Sequence, residues 1–465
     1  MLRSAILLIA LAVALGSAGA AQATELHFWH AMNGARGVQL EALVKRFNDS
    51  QKEVRVLPAY KGAYDETMAA ALAAQRNGSA PHLVQVYEVG TGQMMAARNA
   101  VRPLWQVLAE TGERIDVAAF LPAVASYFSD QSGRLLALPF NTSTPILFYN
   151  RDAFRKARLD PDKPPRTWYE MVHVLGELVE SGYQCAYTTV WPSWVLLENM
   201  SAWHNQNFAT RENGLGGLDA KLVFNTHLMV RHISTLSSWA RAGYFTYSGR
   251  RTEGEERFAR GECAMVTASS SRYAELRRSA KFDFGTAPLP HYDDIKDAPH
   301  HTMIGGAGLW LLAGKKAPEY RAATTFLAFL AQPEAQAEWH QETGYVPLTR
   351  AAYELTRKSG FYATHPGHEI AIRQLLLNAP SRESRGIRLG EFLAIRAIIE
   401  EELEAVWDGK KPPKLALDHA AERGNELLRR FELENRGAAP AEGVPAETGQ
   451  RYTPPRWKQP NKPTN

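Results

Sequence analysis

Leu26-His27-Phe28-Trp29, Val54-Arg55-Val56-Leu57 and Leu83-Val84-Gln85-Val86-Tyr87 are three short apolar runs, and what lies between them decides the fold. Between the first two, Leu40, Leu43, Val44 and Phe47 recur at helical spacing. Between the second and third, Tyr64 to Arg76 is rich in Ala and Met and stops at Asn77-Gly78. Strand-length runs alternating with amphipathic helices predict an α/β fold whose sheets are mostly parallel and flanked by helices.

Outward from this core the alternation breaks. Leu135 to Phe140 and Pro145 to Tyr149 read as strands around the polar Asn141-Thr142-Ser143-Thr144, a candidate crossing between lobes. Further strands are expected at Cys185 to Thr189, Cys263 to Ala268, Phe282 to Ala287 and Gly308 to Leu312, and Ala317 to Phe431 reads as almost wholly helical. At 465 residues the chain exceeds what one hydrophobic core supports, so two lobes are expected. Residues 24–137 and 272–327 are assigned to one lobe, and 138–271 and 328–435 to the other.

Both ends read differently. Arg3, the apolar run Ala5 to Leu15 and the small-residue pattern Ala21-Gln22-Ala23 have the form of a secretory signal peptide, residues 1–23. The run is too short and too diluted by Gly16, Ser17 and Gly19 to span a bilayer. Residues 436–465, rich in proline and poor in apolar residues, are expected to be a disordered tail.

The formal charge of +4 resides in these ends, so the body is near neutral and a nucleic-acid partner is not indicated. Cys185 and Cys263 are the only cysteines; in an oxidising compartment they form one disulfide or remain two buried thiols. No metal site or cofactor is indicated. Gly305-Gly306-Ala307-Gly308 precedes a strand, not a helix, so it is no dinucleotide fingerprint. His300-His301 reads as a solvated pair in a polar loop, and His27 and His30 as structural histidines. No catalytic constellation emerges. Ligand groups in such folds gather beyond the carboxyl ends of strands, which marks Tyr64, Glu88, 141–144, Trp191, Trp194, 269–271 and Gly305-Gly306.

Six segments carry a resemblance: 28–32 (Phe28 to Met32), 60–64 (Tyr60 to Tyr64), 85–91 (Gln85 to Thr91), 139–145 (Pro139 to Pro145), 263–270 (Cys263 to Ser270) and 339–345 (Trp339 to Tyr345). Together, in order from about Glu25 to Phe431, they resemble the periplasmic glycerol-3-phosphate-binding proteins of ATP-driven importers, within extracellular solute-binding protein family 1. The resemblance implies a two-lobed periplasmic binding protein, not an enzyme, with its ligand cleft between the lobes and inner-membrane permease subunits as partners. It also implies a pocket of Tyr64, Glu88, Ser143, Trp191, Trp194, Ser269, Gly306, Tyr345 and Arg396. The chain departs from the family at Gly308, at 375–384 and in its tail.

These groups suit a glycerol phosphate. Hydroxyls of Ser143, Ser269 and Tyr345, the Gly306 N–H and the Arg396 fork would face the phosphate, with Arg396 contributing most. Glu88 would accept from the alcohol end, and Trp191 and Trp194 would cover the carbon skeleton. Each has a plainer alternative: a surface arginine along an apolar helix, serines capping turns, a glycine in a turn, tryptophans in a core. Trp191-Pro192-Ser193-Trp194 reads as a loop, and Glu88 has no evident acidic partner, which weighs against a glycosidase. Glycerophosphocholine, by cation–π contact with tryptophan, or a saccharide are the alternative ligands.

Overall fold

The structure is a computed structural model that describes residues 23–97 and 99–435. Apart from Ala23, the expected signal peptide lies outside the described residues, as does the expected tail. Among the described residues no helix is long and apolar enough to cross a membrane.

The opening runs fold much as their periods dictate. Strand β1 (Thr24–His30), helix α1 (Gly34–Ser50), β2 (Val54–Tyr60), α2 (Tyr64–Arg76) and β3 (Leu83–Tyr87) follow in order. β1 pairs in parallel with β2 and β3. Helix α1 buries Leu40, Leu43, Val44 and Phe47, the stripe its spacing defines.

Strand direction then departs from the expectation. After β4 (Val101–Arg102), β5 (Leu138–Ser143), β6 (Pro145–Asn150), β7 (Cys185–Thr189), β8 (Cys263–Ser269) and β9 (Phe284–Ala287) comes β10 (Gly305–Leu312). β10 enters the first sheet antiparallel to β3, β4 and β5. The second sheet runs β7-β8-β6-β9, parallel only between β7 and β8. Both sheets are therefore mixed, not mostly parallel. A local period of two specifies a strand but not its direction, which connection length and packing set.

Pairing also corrects the expected segment boundaries. β5 joins the first sheet through β10, although 138–271 was assigned to the second lobe. β9 joins the second sheet through β6, although 272–327 was assigned to the first. The crossing itself is where the polar run placed it, but Asn141 to Ser143 lie within β5, so Thr144 alone separates the two sheets. Thr144 is fully buried and pinned: its N–H donates to Ser270 Oγ at 3.3 Å, and its carbonyl accepts from the Ser270 N–H at 2.9 Å.

The C-terminal half is helical, as read. α3 (Ala317–Leu330) packs on β1, and α4 (Pro333–Thr343) packs on α1. α5 (Phe392–Trp407) pairs with α6 (Pro413–Asn435) and buries Phe392, Ile395, Ile399, Leu403 and Val406. Arg396 lies on the same buried face.

The cysteines form a disulfide, Cys185–Cys263, in register between the adjacent strands β7 and β8. Only one of the expected solvated histidine pair, His300, is partly exposed. His301 is fully buried between the Thr302 carbonyl and the Ser384 hydroxyl. His30 is likewise buried, its Nδ1 accepting from the Met32 N–H at 3.3 Å.

Two stability measurements test this packing. The disulfide closes a sequence separation of 78 residues, so the Cys185→Ser/Cys263→Ser protein should lose about 2–4 kcal/mol. An unchanged denaturant midpoint would contradict this. Burial also lowers His204, His301 and His340 to about 4 and His232 to about 3, so the folded chain keeps them neutral. Below pH 6.5 the unfolded chain binds protons that the folded one refuses, and stability is lost as pH falls from 6.5 towards 4. Denaturant midpoints at pH 7.5 and 5.5 should fall accordingly; a rise would contradict neutral burial.

Candidate functional site

One cavity between the two sheets is lined by Tyr64, Glu88, Ser143, Trp191, Trp194, Ser269, Gly306, Tyr345 and Arg396, every residue the resemblance nominated. Arg36, Tyr87, Thr252, Glu255, Ser271 and Gly305 complete the lining. Its volume is about 130 Å³, small beside the roughly 300–1,000 Å³ of pockets for drug-sized molecules.

One end is dominated by a buried ionic triad. Arg396 Nε and Nη2 donate to the two oxygens of Glu198 at 2.7 and 2.6 Å, and Nη2 also donates to Glu88 Oε1 at 3.0 Å. Glu88 follows β3, and Glu198 ends a π-helical segment, Ser193–Glu198. Burial alone would lower the Arg396 pKa; Glu198 and Glu88 push it above its usual value, so it stays charged. Burial raises Glu88 despite the pull of Arg396.

Glu198 is the partner that sequence reading missed. A lone acid after the apolar run Trp194-Val195-Leu196-Leu197 was its signal, because a buried carboxylate needs a cation or donor. Its presence changes the expected roles. A guanidinium held by two carboxylates is already neutralised, so Arg396 is not a free fork for phosphate. With both carboxylates ionised the triad carries one net negative charge. Glu88 accepts from Arg396 and, at Oε2, from the Gly306 N–H at 3.1 Å. A carboxylate offers about four acceptor positions, so Glu88 keeps capacity for ligand hydroxyls.

Gly306 therefore spends its N–H on Glu88. Its lack of a side chain has a structural cause: φ is +111° and a Cβ would sit 1.8 Å from the Asn141 carbonyl oxygen. Gly308, where the family pattern is broken, packs against Phe128.

The two tryptophans differ. Trp194 is buried against Gly305, whose Cβ would meet Trp194 Cζ2 at 2.6 Å, and it sits inside the π-helical segment, not in a loop. Trp191 is half-buried with φ at +46°, a rare conformation for a bulky residue that costs on the order of 1–3 kcal/mol. The Arg251 guanidinium lies 5.6 Å from its ring centroid.

The other end is hydroxyl-rich. Ser143 Oγ has no hydrogen-bond partner among the described residues. Ser269 caps the turn at Ser270–Arg272, its Oγ 2.8 Å from Ser271 Oγ. Tyr64 stacks on Tyr87 at 5.2 Å and accepts from Asn141 Nδ2 at 2.7 Å. Asn141 is itself held by Gln85 at 2.7 Å, which ties the crossing strand to β3. Tyr345 stacks on Trp339, and the half-buried Arg36 lies 5.5 Å from the Tyr345 ring centroid. Glu255 is buried beside Arg272, Nε to Oε2 2.8 Å, and burial raises it to about 7. Among the described residues no group of three or more His, Cys, Asp or Glu is arranged to hold a metal.

Two mixed sheets joined through buried crossings, with a polar cleft between them, define a two-lobed solute-binding protein. Residues 42–369 match the family model described as "Bacterial extracellular solute-binding protein", and the chain belongs to that family. Among curated relatives it is 49% identical to the sn-glycerol-3-phosphate-binding periplasmic protein UgpB of Pectobacterium atrosepticum, over 90% of this chain and 95% of that protein. It is 48% identical to the protein of the same name from Escherichia coli K12, over 91% and 97%. Among solved structures, UgpB from Mycobacterium tuberculosis in complex with glycerophosphocholine superposes with a TM-score of 0.73 at 22% identity, over 88% of this chain and all of that one. A cyclic maltosyl-maltose binding protein from Arthrobacter globiformis gives 0.71 at 20% identity, over 88% and 100%. At these identities the two structures show the fold alone.

The triad predicts its own dependence. Glu198→Ala would leave the buried guanidinium half paired and should destabilise the fold by about 3–5 kcal/mol, whereas Glu198→Gln, which keeps an acceptor, should lose less. Urea titration of both proteins measures this. An alanine variant as stable as the parent would mean that Arg396 is solvated.

Proposed function

We propose that this chain is the periplasmic binding component of an ATP-driven importer, taking sn-glycerol 3-phosphate and handing it to the membrane permease. The observation that carries the reading is that the cleft is lined by two unlike sets of groups. The Glu88–Arg396–Glu198 end has an excess carboxylate and spare acceptor positions, which suits alcohol hydroxyls and repels a dianion. The Ser143, Ser269, Tyr64 and Tyr345 hydroxyls of the lining suit phosphate oxygens. Nearly half-identical relatives named for binding this ligand over nine-tenths of the chain support the same choice.

Arg396 thereby acts on the glycerol, holding Glu88 in place and donating to a hydroxyl, and not as the phosphate fork. Trp191 and Trp194 cover the carbon skeleton. Ligand groups come from both sheets, so binding favours the closed arrangement; turning a 1:99 equilibrium into 99:1 takes about 5.5 kcal/mol of differential affinity.

No covalent step is proposed. A glycosidase needs two carboxylates flanking a scissile bond, one of them protonated. Here one guanidinium bridges Glu88 and Glu198, which occupies the space between them. A phosphodiester such as glycerophosphocholine is the second reading, favoured by the half-buried Trp191 ring, although Arg251 already covers that ring. The small cavity weighs against oligosaccharides.

Calorimetry of the mature protein with glycerol 3-phosphate, glycerophosphocholine and maltose separates these ligands. Glycerol 3-phosphate should bind one to one and most tightly. Tightest binding of maltose, or release of inorganic phosphate on incubation, would overturn the reading.

A further inference from the structure

Two cations line the cavity, Arg36 and Arg396. Arg396 is consumed by Glu88 and Glu198. Arg36, in the first turn of α1, has neither a hydrogen bond nor a carboxylate within 4.0 Å among the described residues; its one close contact is the face of Tyr345. Arg272, beside the same end, is engaged by Glu255 and Glu275. Besides Tyr345, the groups Glu255, Tyr64 and Glu275 act on Arg36 only through space. Arg36 is thus a guanidinium lining the cavity beside Tyr345 with its donors unspent.

An unspent guanidinium beside converging hydroxyls is an arrangement for a charge-assisted, bidentate contact with phosphate oxygens. It also gives the cleft opposite signs at its two ends, an excess negative charge at the triad and a free positive one at Tyr345. We propose that Arg36 is a specificity-determining residue of the cleft, neutralising the phosphate monoester dianion and fixing which way round the ligand lies. This rests on the functional reading above and adds to it a side chain outside the set that the resemblance nominated. A phosphate monoester carries up to two charges near neutral pH, whereas a phosphodiester carries one, so Arg36 favours the monoester.

The test compares ligands within one variant. Arg36 is half-buried and makes no hydrogen bond, so Arg36→Gln should fold normally, which thermal unfolding checks. By calorimetry at low salt, the parent's preference for glycerol 3-phosphate over glycerophosphocholine should fall at least tenfold in Arg36→Gln and be largely retained in Arg36→Lys. The affinity of the Gln variant for glycerol 3-phosphate should also lose most of its dependence on ionic strength. An unchanged preference in Arg36→Gln, with the parent binding normally, would overturn the role of Arg36 and leave the functional reading standing. A parent that binds neither phosphate ligand would overturn both.

Discussion

The cleft is organised by one desolvated guanidinium held between carboxylates that enter from different parts of the fold. Glu88 arrives at the end of β3 in the first sheet, Glu198 at the end of a π-helical segment, and Arg396 from a helix that follows nearly two hundred residues later. Burying three charges is unfavourable unless each is paired, so these segments must meet in one register. With both carboxylates ionised, the pairing leaves one negative charge in excess. From that excess follows the polarity of the whole pocket: alcohol at the triad, anion at the far end.

The scaffold keeps this meeting point in place with short, buried connections. Thr144 alone carries the chain from β5 to β6, bonded on both sides to Ser270. The Gln85–Asn141–Tyr64 chain ties that crossing to β3 and presents the Tyr64 hydroxyl. Two irregular features adjoin the cavity, the left-handed Trp191 and the π-helical turn that begins two residues later. Both are departures from ideal geometry that occur preferentially at functional sites.

Elements with a clear period were legible in the sequence. α2, β3 and β7 begin and end where their residues indicate, because apolar spacing and the Asn77-Gly78 stop are local signals. Strand direction and lobe membership were not legible. β10 turns antiparallel and β9 crosses to the second sheet through contacts far apart in sequence, such as Ala307 with Tyr87 and Ala287 with Leu147. At the site, the nominated residues do converge on one cavity, yet their partners were hidden. In the sequence Glu198 is only an acid after an apolar run, and Arg36 only a cation near the start of a helical stretch. Only the folded chain shows that the first is spent on Arg396 and the second on nothing but an aromatic face.

The polarity of the cleft can be read directly from a crystal structure of the chain soaked with glycerol 3-phosphate. The phosphorus should lie nearer the Arg36 guanidinium than that of Arg396, with the glycerol hydroxyls on Glu88. Phosphate seated on Arg396, with Glu88 or Glu198 displaced from it, would contradict the account.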